Sequence, residues 1–409
     1  MITKNINSYS IYAISMAFIG LPIYIYLPDY YNKNFNLSLQ FLAAILLISR
    51  LIDALQDPIF GLLSDKYAKN RKKTIAYLSP FLGLSFLCLF NPPASTNITI
   101  WLTCFLIITY SIFSMIYINY TAYAVAISND YHFKTKIISL REIYFILGII
   151  IAAVMPAILF NYYSEIESFL IMGIFYIVMI CSLAIIFNKY APDNKYNNNS
   201  KPDIKSLIRN KNLKAYFLMF LFNSFSSAIP AILIIFFVEN IIEAKNLLGL
   251  FLLSYFSGLF IGVLIWKKIS IILNDKIKTF LISLLFTAFI FSFCIYLSKG
   301  DIYPYLLICL MAGIGFGGDL ILSYSILTDI IQKHKLQKSE SMIFSINNFI
   351  IKITLTLSSA ILIYMIGHYE NQPQTKSEFI SFSYVILPVT FRILSAFTLH
   401  KNFNHKYYD

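Results

Sequence analysis

Apolar runs of roughly twenty residues, each long enough to cross a bilayer as a helix, recur along the whole of this 409-residue chain with only short polar breaks between them. No other feature constrains the fold as strongly. Lipid offers no hydrogen-bond partner to an open backbone, so a spanning segment is a helix or part of a closed barrel, and unbroken apolarity at this length is the helical pattern. Composition agrees, with 58% hydrophobic residues and 13% charged ones, against about 25% charged in an ordinary soluble domain. The chain is therefore expected to be an all-α membrane protein with no large soluble domain.

Windows between polar breaks predict twelve helices, near residues 9–30, 39–64, 74–91, 99–123, 138–160, 168–188, 214–238, 246–266, 279–298, 303–328, 343–367 and 379–399. The basic residues orient them. With both termini cytoplasmic, cytoplasmic segments hold 25 of the 32 Lys and Arg, and the opposite side holds only Lys33, Lys245, Lys299 and Lys376, the asymmetry that positive charge imposes on topology. Arg50, Lys352 and Arg392 are left inside helices. The longest polar stretch, containing Asn197-Asn198-Asn199-Ser200-Lys201-Pro202, separates six helices from six. The predicted organisation is a six-helix bundle over 1–188, a cytoplasmic linker over 189–213 and a second bundle over 214–409. Within the linker, Ile204 to Leu213 has the pattern of a short helix lying on anionic headgroups.

Several function classes fall away. The net charge of +12 is spread by membrane side and forms no patch for nucleic acid. The five Cys stand singly in apolar runs without CxxC spacing, and the five His show no HExxH or clustered spacing, so neither a disulfide framework, a metal centre nor a metalloenzyme is indicated. No acid, base and nucleophile set marks an enzyme. The start Met1-Ile2-Thr3-Lys4 and its apolar continuation lack a small-residue cleavage site and are read as a mature helix. An excess of Ile, Asn, Lys and Tyr fits an AT-rich bacterial genome, hence a bacterial plasma (inner) membrane.

The second predicted helix contains Ser49-Arg50-Leu51-Ile52-Asp53-Ala54-Leu55-Gln56-Asp57-Pro58-Ile59-Phe60-Gly61. Spacings of three and four put Arg50, Asp53 and Asp57 on one helical face. An ionised group at mid-bilayer costs roughly 2.5 to 3.5 kcal/mol, so three on one stripe point to a wet interior and an ion-linked task. Two acids one turn apart repel unless a cation or proton neutralises them. The alternative is a structural salt bridge with Arg50 or Lys352.

The run from Arg50 through Asp53, Asp57-Pro58 and Gly61 to Ser64-Asp65-Lys66 resembles the major facilitator superfamily and, within it, the glycoside-pentoside-hexuronide:cation symporters. Three further segments look like the same family: Asp130 with Lys134-Thr135-Lys136 and Ser139-Leu140-Arg141; Gly313-Ile314-Gly315-Phe316-Gly317-Gly318-Asp319-Leu320; and Asn348-Phe349-Ile350-Ile351-Lys352. The resemblance implies the major facilitator fold and a cation site at Asp53 and Asp57. It further implies substrate or coupling roles for Arg50, Arg141 and Lys352, and a cytoplasmic gate loop at Gly61, Asp65 and Lys66. Asp319 is read either as a second-half acid lining a cavity or as a hydrogen-bond partner of nearby backbone. Arg141 is read either as a substrate contact or as a snorkelling interface residue. Two departures weaken the sugar itself: Ala17 and Tyr117 stand where sugar-carrying members place carboxylates. The expected function is a symporter of a sugar-like or other small polar solute, coupled to sodium or protons; the alternative is a proton-driven exporter of drugs or metabolites. Its expected partners are the solute, the coupling cation and the lipid bilayer. No cofactor and no nucleic acid is expected, and the working unit is a monomer.

Overall fold

The computed structural model describes residues 2–93, 97–127, 131–192, 204–369 and 372–403, and every regular element among them is helical. Asp130 and the linker residues 193–203 lie outside the described residues. Among the described residues, eleven helices are long and apolar enough to cross a bilayer. Another, Leu39–Lys66, has 28 residues, and it is the charged stripe at its centre that sets it apart from the others. In chain order the long helices are α1 (Ile6–Tyr24), α2 (Leu39–Lys66), α3 (Arg71–Phe90), α4 (Ile98–Ile127), α5 (Tyr131–Leu159) and α6 (Glu165–Tyr190). They continue as α7 (Lys211–Phe237), α8 (Leu248–Leu273), α9 (Lys276–Ser292), α10 (Ile302–Lys333), α11 (Glu340–His368) and α12 (Pro373–Asn402). A short helix stands at Ile204–Arg209, but Leu207 and Leu213 are buried in the protein instead of facing headgroups, and Leu213 belongs to α7.

Local chemistry sets the breaks. Asn36 adopts a left-handed φ of 55° that ends the short helix Leu27–Phe35 between α1 and α2, and Ser38 caps α2 by accepting from the Phe41 N–H. At the end of α1 a π-turn, Pro22–Tyr26, forms where proline supplies no N–H.

The chain divides into two compact units, Met1–Asp203 with Gln337–Phe349, and Ile204–Leu336 with Ile350–Asp409. In the first unit α1 lies close against α5, so a Cβ at Gly148 would sit 2.8 Å from the Ala17 Cβ. That explains the small residue at 17, because a carboxylate there would need space that α5 fills. Aromatic rings knit the same unit: Phe90 stacks on Phe169 at 4.6 Å, and Phe18 on Tyr176 at 5.4 Å. In the second unit α8 and α10 approach through glycine, a Cβ at Gly262 falling 2.8 Å from the Ile314 Cα, the small-residue packing that lets helices associate in lipid. Across α7 and α12, Ser226 Oγ donates to the Pro388 carbonyl at 2.9 Å and Ser395 Oγ to the Met219 carbonyl at 3.1 Å.

Candidate functional site

The face of α2 sorts itself as its sequence predicts. Ile48, Leu51, Leu55, Ile59 and Leu63 are exposed, whereas Asp53, Ala54, Asp57, Gly61, Ser64 and Asp65 are buried. Asp57 has no exposed surface and Asp53 has 6%, so both carboxylates are out of bulk solvent one helical turn apart. α4 supplies their surroundings. Ser114 Oγ donates to Asp53 Oδ1 at 2.7 Å, and Ser111 Oγ to Gln56 Oε1 at 2.6 Å. The Arg50 guanidinium lies 3.7 Å above the centre of the Tyr24 ring and also meets the Tyr110 phenol. A cation over an aromatic face gains electrostatic attraction without consuming a carboxylate. Sequence reasoning does not single out Tyr24 or Tyr110 for this task, because both stand among many aromatics in apolar runs. Two acids and a hydroxyl oxygen on facing helices form an oxygen-rich donor set suited to a hard monovalent ion or a proton.

At the far end of α2 lies a second buried polar cluster of the same unit. Asp65 accepts from Arg71 Nη2 at 3.0 Å and from the backbone N–H groups of Ser341 and Met342, at 2.8 and 2.9 Å. Those amides belong to the first turn of α11, which has no intrahelical acceptors for them and favours a negative charge. Arg71 also pairs with Glu340, and Ser64 Oγ bonds to Asn119 Oδ1 and Ser341 Oγ at 2.7 Å each. Gly61 is required by closeness: a Cβ there would sit 2.9 Å from the Met342 Cα and 2.8 Å from the Ser345 Cβ. Lys66 does not join this cluster. It is exposed, with its ammonium 5.5 Å from the Tyr67 ring. Arg71 and Glu340 take the charged positions instead.

Arg141 lies well inside α5, because that helix begins at Tyr131 rather than near residue 138. It is 3% exposed, its Nε donates to Glu142 Oε1 at 2.8 Å, and it meets the Tyr9 phenol. The snorkelling alternative therefore does not hold. Tyr9 and Tyr120 exchange hydroxyl-to-carbonyl hydrogen bonds, at 3.2 and 2.9 Å, and their rings stack at 4.6 Å.

In the second unit, Asp319 pairs not with nearby backbone but with Arg392 of α12. Asn223 of α7 also accepts from Arg392 Nη1, at 2.5 Å, and the guanidinium carbon stands 4.3 Å from the centre of the Phe316 ring. A lone Arg in an apolar helix signals a partner elsewhere, but nothing in its own helix names that partner. Lys276, which has no exposed surface, likewise pairs with Asp329 at 2.6 Å. Lys352 lies half-buried in the part of α11 that clusters with the second unit. Among the described residues no group of three or more His, Cys, Asp or Glu has metal-holding geometry.

Residues 8–403 match the family model described as MFS/sugar transport protein. The chain is 24% identical over 390 residues to the uncharacterized symporter YjmB of Bacillus subtilis (strain 168), covering 89% of this chain and 83% of that protein. In fold it is similar to a bacterial homologue of the iron transporter ferroportin in an outward-facing state, with TM-score 0.75, 14% identity and 98% of each chain covered. It is also similar to a crystal structure of the E. coli fucose:proton symporter FucP, with TM-score 0.67, 13% identity and 96% and 98% of the two chains covered. At these identities the two structures speak to the fold alone.

Proposed function

Because the chain belongs to the MFS/sugar transport protein family, we propose that it is a cation-coupled symporter that carries a small polar solute, sugar-like in character, by alternating access. It is a multi-pass membrane transporter and not an enzyme. The observation that carries the coupled reading is the burial of Asp53 and Asp57 one turn apart on α2, with Ser114 already bonded to the first of them.

Burying two carboxylates one turn apart on a membrane helix is costly. A monovalent cation, sodium or a proton, lowers that cost on entering, and the relief is the free energy available to change the affinity for the solute. Linkage requires each ligand to strengthen the other equally, typically by about 1 to 3 kcal/mol. The membrane potential adds about 2.3 kcal/mol per charge per 100 mV, enough to concentrate solute. Only the doubly loaded or the empty carrier reorients, so neither ligand leaks alone. Arg50, held on Tyr24 and Tyr110, keeps a positive charge on the same stripe as the acids. In this reading Gly61, Asp65 and the first turn of α11 form the cytoplasmic gate.

Proteoliposomes with imposed sodium or proton gradients test this. Wild-type protein accumulates solute only when the gradient is inward, and Asp57→Asn removes accumulation while leaving the protein folded. Solute extrusion driven by inward proton movement, with no gradient-driven uptake, would establish the exporter instead.

A further inference from the structure

The start of α3 sends its charge in two directions. Arg71 turns inward to Asp65 and Glu340, whereas Lys69 and Lys73 on either side of it are exposed. From Lys73 a step of four residues leads to Tyr77 and another to Phe81, so the three share one stripe of the helix. Tyr77 is 70% exposed and Phe81 48%, and their ring centres stand 5.4 Å apart. Exposed aromatics on a spanning helix face lipid, and a tyrosine one turn from a lysine sits where its phenol meets the headgroup layer.

The end of α6 lies beside the start of α3. The two helices run antiparallel: a Cβ at Gly173 would sit 3.3 Å from the Leu87 Cα, one at Gly83 would sit 3.1 Å from the Ile177 Cα, and Lys72 Nζ donates to the Ala191 carbonyl at 2.8 Å. Lys189 is exposed next to that junction, with its ammonium 5.2 Å from the centre of the Tyr190 ring. Lys69, Lys73 and Lys189 thus gather at one end of a helix pair, and among the described residues none of them has a carboxylate partner. The acids next to Arg71, Asp65 and Glu340, are buried and bonded to it, while Asp29, Glu165 and Glu167 stand at the other end of the unit.

We propose that the adjoining ends of α3 and α6 form a docking site for one anionic phospholipid, its phosphate held by Lys69, Lys73 and Lys189 and one acyl chain lying along Tyr77 and Phe81. Basic clusters flanking spanning helices attract anionic headgroups. Lysine suits the task, because a compact ammonium on a flexible stem binds phosphate as a point charge and several can close on one group. A zwitterionic headgroup brings its own cation into a cluster that already holds three. A phosphodiester bearing an uncharged glycerol brings net negative charge alone. Free phosphate would satisfy the ammonium groups and leave the aromatic stripe without a role, whereas a lipid engages both at once.

Full-length purified protein in a neutral detergent is titrated with dioleoylphosphatidylglycerol, with dioleoylphosphatidylcholine and with inorganic phosphate, and bound molecules are counted by native mass spectrometry. The expected result is one phosphatidylglycerol retained at about tenfold lower concentration than phosphatidylcholine. Its affinity falls about fivefold in Lys73→Gln and at least tenfold in Lys69→Gln/Lys73→Gln/Lys189→Gln, following the contribution of each lysine near an anionic surface. Lys268→Gln/Lys278→Gln/Lys401→Gln, which removes the same charge from exposed positions of the second unit, changes it less than twofold. Circular dichroism confirms that both triple variants keep their helix content, since all six side chains are exposed. Equal affinity for the two lipids, phosphatidylglycerol binding unchanged in the first triple variant, or an equal loss in the second each overturns the proposal. So does inorganic phosphate that occupies the lysines and displaces the lipid at the same concentrations, which would make the cluster a site for the free anion.

Discussion

Two buried sites, the α2 stripe of the first unit and the α10–α12 pair of the second, hold charge differently. In the first, Asp53 and Asp57 sit together on one helix while the cation of the same stripe, Arg50, rests on aromatic faces. In the second, Asp319 is bonded directly to Arg392, with Asn223 sharing the same guanidinium nitrogen. In the proposed function, two acids side by side on one helix serve an ion that comes and goes, whereas an acid bonded to a permanent cation is a fixed, neutral device that holds helices together.

Thermal unfolding of purified protein probes this contrast at its widest. Arg392→Leu strands a buried carboxylate and is expected to cost about 3 to 5 kcal/mol, whereas Arg50→Leu loses a cation–aromatic contact and costs about 1 to 2 kcal/mol. Equal costs would erase the distinction. Next in size, Asp65→Ala leaves Arg71 and the first amides of α11 without their acceptor, at about 3 kcal/mol, and speeds amide exchange at Ser341 and Met342; unchanged exchange there would mean the cap is not formed. Gly61→Ala forces a Cβ toward Met342 and Ser345 and is expected to cost about 1 to 3 kcal/mol by overpacking. A neutral outcome would show that α2 and the start of α11 stand further apart. Smallest of all, Ser114→Ala removes one hydrogen bond worth about 1 kcal/mol and weakens cation affinity about fivefold.

The fold is largely legible in the sequence because lipid makes helix length and apolarity compulsory. The α2 stripe is legible for a related reason: its three charged residues share one helix, and a period of 3.6 residues reports which side chains share a face. Pairs between helices leave no such trace. Asp319 and Arg392 are 73 residues apart, and Arg71 and Glu340 are 269 apart. Arg392 advertises the need for a partner by standing alone among apolar residues, yet no spacing in the sequence points to Asp319. Arg141 escapes sequence reasoning for a different reason. The start of α5 lies among polar residues, so the apolar window begins too late and puts a buried side chain at a helix end. Lys66 looks like part of a basic loop cluster, and only the geometry separates it from Arg71, which turns inward.

Titration calorimetry with sodium, together with proton uptake followed across pH, on wild-type protein and on the Asp53→Asn/Asp57→Asn variant, tests the central claim most directly. The account predicts saturable binding of one monovalent cation per chain in the wild type, its loss in the double variant, and its persistence in Asp319→Asn. Cation binding that survives the double substitution would contradict it.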